Sequence, residues 1–293
     1  MTIRSQHRSG IVVLAAAAFL WVGSPALAAS EHTERHFAVT GRPVVVIQNV
    51  ATGRIEVKSW KNAEVDVVAN QNSSKIGFDI EQAGDRIDVT ANILDPSAQP
   101  IELETSLLLS VPEDTELQLK TQTGLIYVEQ VRGDMTLESV AGDVHLKEVS
   151  GYIIVRTTQG SLVCTQCAGK LEFESVSGSA QVLQPALSKV NLHTSFGNIL
   201  FDGDFVRTGL YSMKSAKGLV EVRFSGSDSF DLKAQTTMGV VDNQAAAFLK
   251  PDSHGVRRLA SNFAKGIIGT VGAGLAKVEL SSYSGTIRIL KRD

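Results

Sequence analysis

Residues 124–151, GLIYVEQVRGDMTLESVAGDVHLKEVSG, decide the fold. Glycine returns every nine residues, at Gly124, Gly133, Gly142 and Gly151, and the pattern runs on through Gly160, Gly169 and Gly178. Counting each glycine as position one, the third position is apolar: Ile126, Met135, Val144, Ile153, Leu162, Leu171, Ala180. So is the fifth: Val128, Leu137, Leu146, Val155, Cys164, Phe173, Val182. The eighth is usually apolar too, as in Val131, Val140, Val149, Cys167 and Val176. Self-similarity at a fixed period marks a stacked repeat.

Apolar side chains two apart point to one side of a strand. Glycine supplies the left-handed or strained backbone of a tight corner. Each nine-residue unit therefore reads as one short strand and one corner. A hydroxyl stands three residues before every other glycine, at Thr121, Ser139, Thr157 and Ser175, while Gln130, Glu148 and Gln166 hold that place between them. The full period is thus eighteen residues, two strands and two corners. The expected fold is all-β: a parallel β-solenoid whose two-strand rungs stack about 4.8 Å apart. Charges fit that register, because Glu138, Arg156 and Glu174 would form an alternating outer ladder and Glu129 would neighbour Lys147. An antiparallel meander is the rival arrangement. It favours Asn-Gly or Asp-Gly turns, and neither occurs between Gly124 and Val182.

The hydroxyl-x-x-Gly signature returns at Thr194/Gly197, Ser215/Gly218, Thr236/Gly239 and Ser282/Gly285, with longer steps that imply longer corners. The expected division is a β region over 36–120 that covers the start, rungs over 121–246, a loop insertion over 247–275 covering the far end, and a closing strand over 276–293. Exposed strand edges need such covers.

Residues 1–28 read as an export signal: Arg4 and Arg8, an apolar run from Gly10 to Val22, then Ala26-Leu27-Ala28. The apolar run is short for a membrane span, and nothing else in the chain is apolar enough to be one. The expected mature chain is a single domain over 29–293, exported to the periplasm or the cell surface. Removing Arg4 and Arg8 takes the basic count from 28 to 26 against 31 acidic residues, a formal charge of −5. That balance argues against a nucleic-acid partner.

Chemistry-bearing motifs are sparse. Cys164 and Cys167 occupy the fifth and eighth positions, so both sulfurs should face inward, as a disulfide or as two buried thiols. No helix start is present to activate a thiolate, zinc needs further ligands, and Ala168 stands where a haem motif requires histidine. His32 and His36 flank Glu34 in a segment expected to be mobile, offering no more than a weak, adventitious metal contact. Gly266-Ile-Ile-Gly269-Thr-Val-Gly272-Ala-Gly274 lacks the Gly-Lys-Ser/Thr ending of a phosphate loop and reads as a flexible return loop. The outer central positions are Tyr127, His145, Val163 and Gln181 on one side and Thr136, Ile154 and Glu172 on the other. No catalytic residue, cofactor site or metal site is expected. Tyr127, His145 and Gln181 are the candidate binding face.

Thr52-Gly53-Arg-Ile-Glu-Val57 with Trp60 and Val65, Val111-Pro112 leading into Leu117-Gln-Leu119, the hydroxyl-x-x-Gly rungs, and Ser284-Gly285-Thr-Ile-Arg-Ile289 together resemble the bacterial putative-adhesin family of β-strand-repeat proteins, formally a domain of unknown function. The resemblance runs from about residue 40 to the end and implies an exported solenoid with no catalytic residues to carry over. The expected function is a non-enzymatic, adhesin-like binding or structural role at the cell envelope, with an envelope protein or glycan as partner. The alternatives are a glycan-active β-helix lyase or hydrolase, and an accessory protein of an envelope stress-signalling system.

Overall fold

The computed structural model describes residues 31–250, 257–261 and 264–292; the expected export signal lies outside them. The chain winds as a parallel β-solenoid with two sheet faces. The strand Ser150–Thr157 lies between Met135–Lys147 and Ala168–Ser175, with Met135, Ile153 and Leu171 in register. On the other face Leu162–Thr165 lies between Met135–Lys147 and Ala180–Leu183, with Val144, Leu162 and Ala180 in register. Partners are eighteen residues apart and parallel, so the hairpin meander is excluded. Every third- and fifth-position side chain from Ile126 to Val182 is at most 2% exposed. They join one apolar core running from Val39 to Ile289.

The eighth position departs from the expectation. Val131, Val149 and Cys167 are buried, whereas Val140 is 54% and Val176 49% exposed. The two corners of a rung are different objects, and only one turns its eighth residue inward. That corner also holds left-handed residues that are not glycines: Gln130, Glu148, Gln166 and Gln184 have φ between 49° and 58°.

Close approach explains the main glycine column better than left-handed backbone does. A Cβ on Gly160 would overlap the carbonyl oxygen of Gly142, and one on Gly178 that of Gly160. The column continues through Gly197, Gly218, Gly285 and Gly239, each against the glycine beneath it. The hydroxyl three residues earlier closes the same corner. Ser215 Oγ accepts from Gly218 N at 2.9 Å and donates to Gly197 O on the rung below at 2.7 Å. Thr194 does likewise, to Gly197 N at 3.1 Å and Gly178 O at 2.9 Å. These hydroxyls are buried, and they satisfy corner groups that would otherwise lack partners.

Both ends depart from chain order. Val44–Trp60 is itself a rung: its 52–58 segment stacks under Thr123–Glu129, and the strands Arg86–Ile93 and Glu104–Pro112 stack beneath it. The expected cap over 36–120 is therefore partly coil. True capping comes from antiparallel strands: Ile76–Ala83 on Arg86–Ile93, Glu64–Gln71 on Glu104–Pro112, and Glu31–Ala38 on Glu64–Gln71. The last of these is the segment expected to be mobile. At the far end, Leu210–Ser215 carries Ala276–Ser282, which in turn carries Phe230–Thr236. Thr286–Lys291 sits likewise between Val220–Phe224 and Val240–Asn243. The expected closing strand is thus an intercalated rung, filling a gap left when the chain skipped one level. Ala264–Val271 then lies antiparallel on Phe230–Thr236, and Arg257–Ser261 on it. The glycine-rich run expected to be a flexible loop is, through Val271, a capping strand. Among the described residues no helix is long and apolar enough to cross a membrane.

Candidate functional site

Two lateral faces are built by this winding, and each presents one outward side chain per rung along its centre. On the first face the register places Tyr127 beside His145, His145 beside Val163, and Val163 beside Gln181. Glu56 precedes Tyr127 in this row; Leu200, Glu221, Arg288 and Asp242 follow Gln181. The residues expected to form one face therefore do stand in one line.

The ends of that row are occupied by their own electrostatics. Arg54 and Lys58 lie 5.7 and 5.8 Å from the Tyr127 ring centroid, a cation–π distance. Tyr127 Oη donates to Glu129 Oε2 at 3.0 Å, and Lys147 Nζ donates to Glu129 Oε1 at 2.7 Å. The Lys147 hydrogen bond holds the Glu129 carboxyl below its ordinary range. Burial, followed by the Glu129 bond, pushes the Tyr127 phenol up. At the other end Arg288 bridges Glu221 Oε2 at 3.2 Å and Asp242 Oδ2 at 3.3 Å.

The middle of the row differs. Among the described residues, the side chains of His145 and Gln181 make no hydrogen bond or ion pair, and the residues beside them, Val163 and Leu200, are half-buried and apolar. Two polar groups with open donor and acceptor capacity thus stand on a flat, partly apolar strip between two closed charge networks. Such a strip can take hydrogen bonds and apolar contact from an extended ligand.

The opposite face carries Thr136, Ile154, Glu172, Asn191, Ser212, Glu279 and Lys233 in line. Toward the far end it hollows into a cavity of about 980 Å³, bounded by Asn191, Ser212, Glu279 and Lys233 and walled by Ile268 to Thr270 of the capping strand. Two of its lysines are paired, Lys189 Nζ with Glu172 at 3.3 Å and Lys233 Nζ with Glu279 at 2.8 Å, while Lys277 on the same lining makes no ion pair among the described residues. The Lys233 hydrogen bond draws the Glu279 carboxyl down. Sequence reasoning missed this hollow because the intercalated rung and the capping strand build it, and the only trace is the long step from Gly239 to Gly285.

The buried disulfide, Tyr211 and Asp228 are structural. Cys164 and Cys167 are joined as a disulfide and fully buried. Burial pushes the Tyr211 phenol up to about 12; its Oη bonds Leu187 O at 2.5 Å and Val206 N at 2.8 Å. Burial also raises the Asp228 carboxyl, which accepts from the backbone N–H of Phe205 and Ser225 and so ties a corner.

The sequence profile of the Toastrack DUF4097 family matches residues 45–290. A crystal structure of a putative adhesin from Bacteroides fragilis is similar in fold, with 12% identity, 89% of this chain and 97% of that chain covered, and a TM-score of 0.50. A putative cell adhesion protein from Clostridium sporogenes aligns at 11% identity over 90% of this chain and 100% of that one, but its TM-score of 0.29 adds nothing to the fold. No curated protein matches the chain.

Proposed function

The chain belongs to the Toastrack DUF4097 family, and from that premise we propose that it is an exported, non-catalytic scaffold which binds an extended envelope partner along one lateral face. One observation carries the reading: the His145 and Gln181 side chains, without hydrogen-bond or ion-pair partners among the described residues, in the middle of a row whose two ends are charge-paired. A solenoid offers long lateral faces suited to extended ligands. A catalytic site instead needs several titratable groups converging in a cleft with affinities tuned toward reaction. The carboxyls of Asp95, Glu102, Glu129 and Glu279 are drawn down by hydrogen bonds, the direction of a stabilised ion rather than of a general acid, and Asp228, which burial raises, is tied to two backbone N–H groups in a corner. Export to the periplasm or cell surface rests on the signal-like residues 1–28, and the adhesin description of the Bacteroides fragilis neighbour fits the same reading.

The test is retention on a panel of purified envelope glycans and envelope proteins. Wild type should be retained by one of them, the double variant His145→Glu/Gln181→Glu should lose retention at unchanged thermal stability, and no glycan should be cut. Turnover abolished by a single carboxylate substitution would overturn the reading in favour of a glycan-active enzyme.

A further inference from the structure

Four corners in the far half of the coil read His193-Thr-Ser-Phe-Gly-Asn198, Lys214-Ser-Ala-Lys-Gly-Leu219, Ser281-Ser-Tyr-Ser-Gly-Thr286 and Gln235-Thr-Thr-Met-Gly-Val240. They stack in that order, because Ser215 lies on Thr194 and Ser282 lies between Ser215 and Thr236. In each the hydroxyl is buried, and the two residues after it form the outer tip. Large apolar side chains collect at these tips. Phe196 N bonds Val176 O on the rung below, and Met238 N bonds Tyr283 O. Val176, Phe196, Tyr283, Met238 and the neighbouring Val240 are 49–69% exposed. From Val176 to Met238 the run spans four rung steps, about 19 Å at about 4.8 Å each. Single exposed apolar residues are ordinary, but a contiguous run marks a contact surface. Nearer the start of the coil the tips hold Gln122, Thr123, Thr158 and Gln159, with Val140 isolated between them.

Charge is the second observation, and it is independent of the first. The four corners contain no aspartate or glutamate, whereas Glu138, Asp143 and Glu174 stand in the corners before them. Lys217 Nζ lies 5.2 Å from the Phe196 ring centroid, Lys214 shares its corner, and Lys265 stands opposite Thr236. None of these three lysines forms an ion pair among the described residues. Glu279, two residues before Ser281, is already held by Lys233 at 2.8 Å. At the opposite corner of these rungs cations do meet carboxylates, as where Arg292 bonds Asp202 and Asp204.

We propose that this corner is a membrane-contact edge, which seats the coil on the surface of a bilayer containing anionic phospholipid. Phe196, Met238 and the valines enter the boundary between headgroups and acyl chains, while the Tyr283 hydroxyl and the lysine ammonium groups stay at the level of the phosphates. Anionic headgroups supply the charge that the lysines lack within the protein. The shape favours the same partner. A convex corner two residues wide gives a rigid protein surface little area to cover, whereas a fluid bilayer closes around it. A second copy of the chain would set lysine against lysine. The run follows the axis of the coil, so the axis lies along the membrane and both lateral faces project away from it. His145 and Gln181 stay accessible, and the inference does not depend on what binds them.

The experiment floats protein purified from its native cells with vesicles of phosphatidylglycerol and phosphatidylethanolamine, and separately with vesicles of phosphatidylcholine. The anionic vesicles should carry the protein at low salt and release it at high salt, and the neutral ones should carry at least roughly tenfold less. Lys214→Gln/Lys217→Gln and Phe196→Ser/Met238→Ser should each lower partitioning at least roughly tenfold. Lys61→Gln/Lys170→Gln, an equal loss of charge away from the edge, should change it less than about threefold. Thermal midpoints confirm folding, and should the Phe196/Met238 variant fail to fold, the Lys214/Lys217 variant carries the test. Wild type that does not float with anionic vesicles at low salt would overturn the proposal. So would flotation undiminished in both edge variants, or reduced equally by the control. A dimer that the edge substitutions dissolve, without any vesicle binding, would also overturn it and make the edge a contact between copies.

Discussion

Gly160→Ala tests the physical reason for the glycine period. The backbone of Gly160 lies outside the left-handed region, so alanine adds no φ strain there. It adds a methyl group in the place of the Gly142 carbonyl, with Asp143 N also inside contact distance. The obstructing atoms are backbone and cannot swing aside, so the rungs must part. Overpacking of this kind costs about 1–3 kcal/mol. Parting the rungs also strains the Ser161 N bond to Asp143 Oδ1 at 2.8 Å and the Val144 N bond to Ser161 O at 2.8 Å, worth about 1 kcal/mol each. Lower entropy of the unfolded alanine chain offsets about 0.4–1 kcal/mol. The expected net loss is about 2–4 kcal/mol, or roughly 5–15 °C in midpoint for a chain of this size. Gly84 is the control: its φ is +64° and a Cβ there meets nothing within 4 Å. Gly84→Ala should cost only about 1 kcal/mol of left-handed strain. Denaturant titrations followed by circular dichroism give both values. A Gly160→Ala protein within about 0.5 kcal/mol of wild type, or a Gly84→Ala protein equally damaged, would refute the close-approach argument.

Three further outcomes follow from the same geometry. Leu146→Ala and Phe173→Ala, which empty fully buried sites, should lose about 2–5 kcal/mol, while Gln181→Ala on the outer face should stay within about 0.5 kcal/mol; equal losses would mean the faces are misassigned. Ser215→Ala strips partners from Gly218 N and Gly197 O and should cost about 1–3 kcal/mol; a neutral result in a denaturant titration would show that the hydroxyl column is dispensable. The Glu129 and Glu279 carboxyls lie below their ordinary value of 4.5, chiefly through hydrogen bonds from Lys147 and Lys233. A depressed carboxylate contributes stability above its unfolded pKa and loses it as pH falls through the folded one. Stability should therefore decline below about pH 4.5, and Glu129→Gln/Glu279→Gln should flatten that decline; an unchanged acid profile would count against the two bridges.

The sequence made the middle of the coil legible and its ends much less so. From Gly124 to Val182 a strict nine-residue spacing fixes the register, so the buried third and fifth positions, the charge ladders and the line of Tyr127, His145 and Gln181 could be read directly. The hydroxyl column was visible as spacing, though its double hydrogen bond was not. Beyond that stretch, spacing along the chain says when a rung occurs but not at which level it stacks. Nothing in Ser282-x-x-Gly285 distinguishes a last rung from one slipped between Ser215/Gly218 and Thr236/Gly239. The hollow at the far end was invisible for the same reason. So was the corner run of Phe196, Tyr283 and Met238, since Tyr283 joins it only through the intercalated rung. Left-handed Gln130 and Glu148 were hidden because only glycine advertises that conformation.

The central claim is that the chain works through the middle of one lateral face. Photocrosslinking in the native cell envelope addresses it most directly, with the reactive side chain at position 181 and, in a parallel strain, at position 233 in the hollow of the opposite face. The account predicts a discrete adduct from position 181 and none from 233. An adduct formed only from position 233 would contradict it and move the function to the other face.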